Sequence, residues 1–226
     1  MTSIAGAKYR LASTNFDQSL DAGGGTSSSA NFISAELGNG TALNGRTYAF
    51  SFQNIAGEGL VFRMSSGNQI STLAWGSFAF SQITPGTGTS VSVINGETVP
   101  SAYNAINLAA RGGTGSATSF MSFSDLTFSS SLAQFGAFSN GTATTASGVI
   151  DQWLVAGPGV NLASFNWALT GTLNGSGASN GGENVRFVMD LKDVAVVPAP
   201  ATLPLFVSGL LLAGAFARRV RRVATA

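Results

Sequence analysis

The run Asn184-Val-Arg-Phe-Val-Met-Asp-Leu-Lys-Asp-Val-Ala-Val196 carries a large apolar side chain at every second position over most of its length. Val185, Phe187, Met189 and Leu191 fall on one side; Arg186, Asp190 and Lys192 fall on the other. Successive side chains leave a strand on opposite faces, so this period of two predicts a strand with one face buried. Two further runs repeat the pattern. Tyr48, Phe50 and Phe52 alternate with Ala49 and Ser51, and Phe165, Trp167, Leu169 and Gly171 alternate with Asn166, Ala168 and Thr170.

Working outward, strand-like runs cover 31–36, 47–54, 59–65, 70–75, 90–94, 103–110, 118–128, 149–155, 163–173 and 184–196. Asn-Gly, a strong hairpin cue, occurs at Asn39, Asn44, Asn95, Asn140, Asn174 and Asn180. Short strands punctuated by turns, without an amphipathic helix, predict an all-β fold: an antiparallel sandwich or jelly roll of about ten strands. The stretch 126–138 is left open between a short helix and a loop. The outward positions use Ser, Thr and Asn, which keeps a strand-rich surface wet at low charge.

Composition narrows the chemistry. The 226 residues are 44% hydrophobic and 9% charged, with no Cys and no His. A Ser-His-Asp or Cys-His site is therefore excluded, as are disulfides, His/Cys zinc sites and the common haem ligands. The Gly-rich segments 23–29, 112–115 and 171–182 do not lead from strand to helix and do not end in Gly-Lys-Ser/Thr, so phosphate cradling is not expected. Neither a cofactor nor a metal is expected, as no Asp-x-Asp-x-Asp-Gly loop occurs. Catalysis by a carboxylate pair needs two acids at a set separation. Asp190 and Asp193 fall on opposite faces of a strand, and Asp17 and Asp21 read as loop residues, so no catalytic residue is assigned and the chain is read as non-enzymatic.

Trp75, Trp153 and Trp167, with Tyr48 and Tyr103, have two readings. Most sit at inward positions, and aromatic burial dominates β cores. The alternative is a sugar-stacking platform, for which Trp153 and Tyr103 are the candidate glycan contacts. The Asn-Gly-Thr/Ser strings at Asn39, Asn140 and Asn174 are read as turn chemistry.

The net charge of +1 averages two unlike pieces. Arg218, Arg219, Arg221 and Arg222 carry four of the eleven basic residues, which leaves seven against ten acids in the rest, a net of −3. A positive cluster confined to the extreme C-terminus does not suit nucleic-acid binding, which needs a basic patch on a folded surface. Just before it, Ala201 to Ala217 is an uncharged run containing Leu203, Leu205, Phe206, Leu210, Leu211, Leu212 and Phe216. As a helix it would span about 26 Å, close to the hydrocarbon thickness of a bilayer. The arginines beyond it would hold the C-terminus in the cytoplasm, with the body on the far side. Pro198 and Pro200 precede the run; each fixes φ and favours extended geometry in the residue before it, the form a protease groove binds.

The order Val197-Pro198-Ala199-Pro200, apolar span, Arg cluster resembles a PEP-CTERM sorting signal, over about thirty residues. The resemblance implies an exported protein of a Gram-negative bacterium that makes extracellular polysaccharide. It also implies transient anchoring in the inner membrane, recognition of the Pro motif by an exosortase, and release to the cell surface or extracellular matrix. Ala199 stands where the family usually has Glu, which leaves the identity of the sorting enzyme open. The strings Thr72-Leu-Ala-Trp-Gly76, Tyr103-Asn-Ala-Ile-Asn107 with Ala110-Arg111, and Ser119 to Phe128 resemble choice-of-anchor β-domains, which implies an extracytoplasmic body and lends no catalytic residues. Residues 1–14 have no apolar signal core and are expected to be a flexible N-terminus, with an export signal encoded upstream. The expected organisation is therefore 1–14 flexible, 15–197 a β-sandwich, and 198–226 the sorting signal. The body is read as structural or adhesive, its alternatives being a carbohydrate-binding module on extracellular polysaccharide and, third, a carboxylate-pair hydrolase.

Overall fold

The alternating runs pair into two sheets. The computed structural model describes residues 3–11, 16–22, 32–37, 45–67, 69–78, 89–95, 102–113, 119–132, 138–144, 148–177 and 185–195. These hold thirteen strands: β1 (Ser3–Leu11), β2 (Phe16–Ala22), β3 (Phe32–Leu37), β4 (Thr47–Ile55), β5 (Gly59–Ser66), β6 (Gln69–Gly76), β7 (Thr89–Asn95), β8 (Ala105–Gly112), β9 (Phe120–Ser130), β10 (Gly141–Thr144), β11 (Val149–Val155), β12 (Trp167–Ser176) and β13 (Val185–Lys192). One sheet runs β11-β8-β13-β1-β2-β3 and the other β10-β9-β12-β4-β5-β6-β7. The pairings are antiparallel except β6 with β7, which is parallel.

The two inner faces meet in an aromatic core, as alternation predicts. Phe187 of β13 lies 5.2 Å from Phe50 of β4 and 5.6 Å from Phe123 of β9, which ties the sheets together at mid-body. Tyr9 of β1 meets Tyr48 of β4 at 5.4 Å. Trp167 packs on Phe52 at 5.3 Å and stacks on Phe128 at 6.0 Å. Each such pair contributes about 0.5–1.5 kcal/mol beyond the area it buries. With no disulfide available, this packing and the strand ladders hold the body.

The N-terminus corrects the expectation of a flexible segment over 1–14. Ser3–Leu11 is a strand paired on both sides, with Ala5, Ala7, Tyr9 and Leu11 buried. Two of these four inward positions are alanine, so its apolar signal is faint. β2 and β10 were not anticipated either. The inward face of β2 includes Gln18, fully buried, whose Nε2 donates to the Phe62 carbonyl at 2.8 Å. Asp21 accordingly lies in a strand rather than in a loop. Asn174-Gly175 is also not a turn; it sits inside β12, where Gly175 leaves room for Met121 and Leu11. The open stretch after Leu126 continues as strand to Ser130. The sorting motif Val197–Pro200, the span 201–217 and Arg218, Arg219, Arg221 and Arg222 lie outside the described residues. Among the described residues no helix is long and apolar enough to cross a membrane.

Candidate functional site

The site is the outward face of the six-stranded sheet. Alternation puts Val149, Asp151, Trp153 and Val155 of β11 outside, with Ile150 and Gln152 half-buried and Leu154 buried on the other side. The same parity puts Asn107 and Arg111 of β8 on this face. It likewise places Arg186, Asp190 and Lys192 of β13, Gly6, Lys8 and Arg10 of β1, and Asp21 of β2. Register then lines them up across the strands. Trp153 pairs with Asn107, Asn107 with Asp190, Asp190 with Gly6, and Gly6 with Asp21. Four strand spacings of about 4.8 Å make this row roughly 19 Å long.

One end of the row is aromatic. Trp153 is 40% exposed, and the Lys192 ammonium lies 5.1 Å from its ring centre. The same ammonium is 3.5 Å from the Asp190 carboxylate. Beneath them Asn107 is buried and donates through Nδ2 to the Asp151 carboxylate and to the Gln152 carbonyl. The Asn107 amide group and the Asp151 carboxylate are thus fixed relative to each other.

The middle of the row is a carboxylate pair. Gly6 has no side chain, and the Asp190 and Asp21 carboxylates lean over the gap. A Cβ on Gly6 would lie 2.8 Å from Asp190 Oδ1 and 3.5 Å from Asp21 Oδ2. Burial pushes the Asp21 carboxyl up to about 6, the Asp190 charge adds to the shift, and Lys8 opposes it. Burial also raises Asp190, against the pull of Lys192 and Lys8, with Asp151 adding to the rise. Below about pH 6 the Asp21 carboxyl is therefore protonated and donates a hydrogen bond, whereas above it the ionised group only accepts.

At the other end of the face Arg111 is directly opposite Arg186, Arg186 is opposite Arg10, and Arg10 is opposite Asp17 of β2. This second basic cluster is invisible in the sequence because its members come from three distant strands. Among the described residues no group of three or more acidic side chains is arranged to hold a metal ion.

The two glycan candidates separate. Trp153 is at the surface, but Tyr103 is a core residue, 2% exposed, whose hydroxyl accepts from Trp167 Nε1 at 3.2 Å. Tyr103 carries no glycan contact: its position just before β8 turns the ring into the sandwich. Trp75 and Trp167 are buried too. Asp190 and Asp193, read from the sequence as lying on opposite faces, are not brought together; Asp190 is matched by Asp21 instead, 169 positions away in the chain.

A second concavity, an open groove of about 480 Å3, lies between Asn54, Ser130 and Asn166. Its polar groups are already engaged. Asn54 Nδ2 donates to the carbonyls of Ala163 and Phe165, and Asn166 Oδ1 accepts from the Ala56 amide. That leaves little for a ligand.

The described residues within 3–194 thus form a two-sheet β-sandwich with a charged, polar outward face on the six-stranded sheet, beside an edge strand. No protein-family model and no curated protein matches the chain.

Proposed function

We propose that the chain is an exported surface or matrix protein whose body binds neutral, hydroxyl-rich polysaccharide on the outward face of the six-stranded sheet. The observation that carries this reading is the exposed Trp153 in line with Asn107, Asp190 and Asp21. A sugar ring presents an apolar face to stack on an indole and a rim of hydroxyls for carboxylate and amide acceptors. The carboxylates of the row accept from sugar hydroxyls, and the indole takes the apolar ring face, a combination that suits neutral hexose oligomers.

The C-terminal sequence supports the rest of the proposal. The Val197-Pro198-Ala199-Pro200 motif, the apolar run and the arginines suit a transient inner-membrane anchor removed by an exosortase-type peptidase. The body then reaches the surface, where extracellular polysaccharide is its partner.

Isothermal titration with neutral hexose oligosaccharides tests the binding reading. Trp153→Ala is expected to weaken binding about tenfold or more, with the fold retained. Equal affinity for the variant would remove Trp153 from the site. Mass spectrometry of the surface fraction tests the sorting: a C-terminus near Pro200 is expected, and intact chain ending at Ala226 would refute processing.

The pair at Gly6 favours a second reading, hydrolysis of the bound glycan with one carboxyl as acid and the other as base. Release of reducing ends that Asp21→Asn abolishes would establish it.

A further inference from the structure

The structure assigns β11 as a self-pairing edge: two copies of this chain join β11 to β11 in antiparallel register about Gln152, which makes one continuous sheet across the pair. β11 is the last strand of its sheet, so one side of its backbone ladder has no strand beside it among the described residues. Edges are normally blunted by shortness, Lys or Pro. β10, the neighbouring edge of the other sheet, is only four residues long. β11 has seven residues, no Lys, Arg or Pro, and only Asp151 as a charge. Val149, Trp153 and Val155 are the exposed large hydrophobic residues among those described, and all three are on this strand.

The pattern Val149-Ile-Asp-Gln-Trp-Leu-Val155 is close to a palindrome. With Gln152 opposite its own copy, Val149 meets the partner's Val155 and Ile150 meets the partner's Leu154. Asp151 meets the partner's Trp153. Inward positions match inward ones, so neither sheet face is scrambled. Shifting the axis to residue 151 instead would oppose two Asp151 carboxylates, which is unfavourable. The contact is isologous and closes as a dimer. Gln152 does not obstruct it, because its side-chain amide is held by the Ser139 backbone through two hydrogen bonds, of 3.0 and 2.9 Å.

Pairing also makes the two Trp153 positions diagonal neighbours, with backbones about 7–8 Å apart, on one outward face. This last consequence rests on the glycan reading; the dimer itself does not.

The native chain has no cysteine, so one introduced thiol gives an unambiguous readout. Gln152→Cys is expected to form a disulfide-linked dimer under mild oxidation, since directly opposed residues fall within disulfide range. Ser129→Cys, on the other sheet, is expected to stay monomeric. Sedimentation of the unmodified full-length chain at about 100 µM, where a small strand-pair interface is populated, should give a dimer that Val155→Lys dissociates. Cross-linking of Gln152→Cys no faster than Ser129→Cys, or a dimer indifferent to Val155→Lys, overturns the pairing. Glycan binding by a strictly monomeric protein would refute the dimer and leave the proposed function intact.

Discussion

Replacing Asp21 by Asn should stabilise the protein at neutral and alkaline pH and leave it nearly unchanged in acid. The amide keeps the shape of the protonated carboxyl but cannot ionise. Asp21 titrates at about 6 in the folded chain instead of 3.8, because it is buried beside Asp190 over Gly6. Its folded pKa lies above the unfolded value, so the native state binds this proton more tightly. The stabilisation from that proton is complete below pH 3.8 and is lost as pH rises through about 6. A shift of roughly two units corresponds to about 3 kcal/mol at 1.36 kcal/mol per unit. Asp21 is partly open to solvent, so screening reduces this to about 1–2 kcal/mol. Urea unfolding of wild type and Asp21→Asn at pH 4, 6 and 8 measures it. The two curves should nearly coincide at pH 4 and separate by pH 8, with the variant more stable and its Tm raised by roughly 2–8 °C. A variant no more stable than wild type at pH 8, or a gap independent of pH, refutes the claim that the two carboxylates strain each other across Gly6.

Two further outcomes separate core from surface. Trp167→Ala should cost about 3–5 kcal/mol, because it empties a site packed by Phe52, Phe128 and Tyr103, while Trp153→Ala should change stability by only about 0.5 kcal/mol; thermal melts of both check the pair. Gly59→Ala should cost about 3 kcal/mol or more, since Gly59 has φ +144° and its Cβ would run into the Trp75 carbonyl. Gly57→Ala, at φ +80° with open space around it, should cost only about 1 kcal/mol.

What was legible in the chain follows from side-chain size. β4, β12 and β13 announce themselves because large aromatic and aliphatic residues alternate with small or polar ones. β1 obeys the same alternation, but Ala5 and Ala7 carry too little hydrophobic weight to mark it. β2 hides because a glutamine takes an inward position and satisfies itself on the Phe62 backbone. Trp153 was legible as a strand residue and a candidate glycan contact, on the same footing as the buried Tyr103. Its place on an edge was not, because strand order comes from long-range pairing. The Asp21–Asp190 pair left one faint local trace: Gly6 sits mid-strand, where glycine marks a close approach. Only the register joins them.

The two sheets differ in where their outward polar groups are engaged, and that difference supports the proposed binding face. On the seven-stranded sheet, hydroxyls turn back onto the backbone: Ser66 donates to Thr47, Ser122 to Asn174 and Ser129 to Ala168. Such a face is wet yet already satisfied. The six-stranded sheet instead gathers Lys8, Arg10, Asp21, Arg111, Asp151, Arg186, Asp190 and Lys192 from a chain that is only 9% charged. Concentrating scarce charge on one face raises the desolvation and repulsion seen at Asp21 and Asp190, which destabilises the body at neutral pH. A fold that needed only solubility would scatter those charges. Their alignment beside an exposed tryptophan and an unblunted edge strand is therefore best explained by what the face holds, and the cost measured by Asp21→Asn is the cost of keeping that face ready.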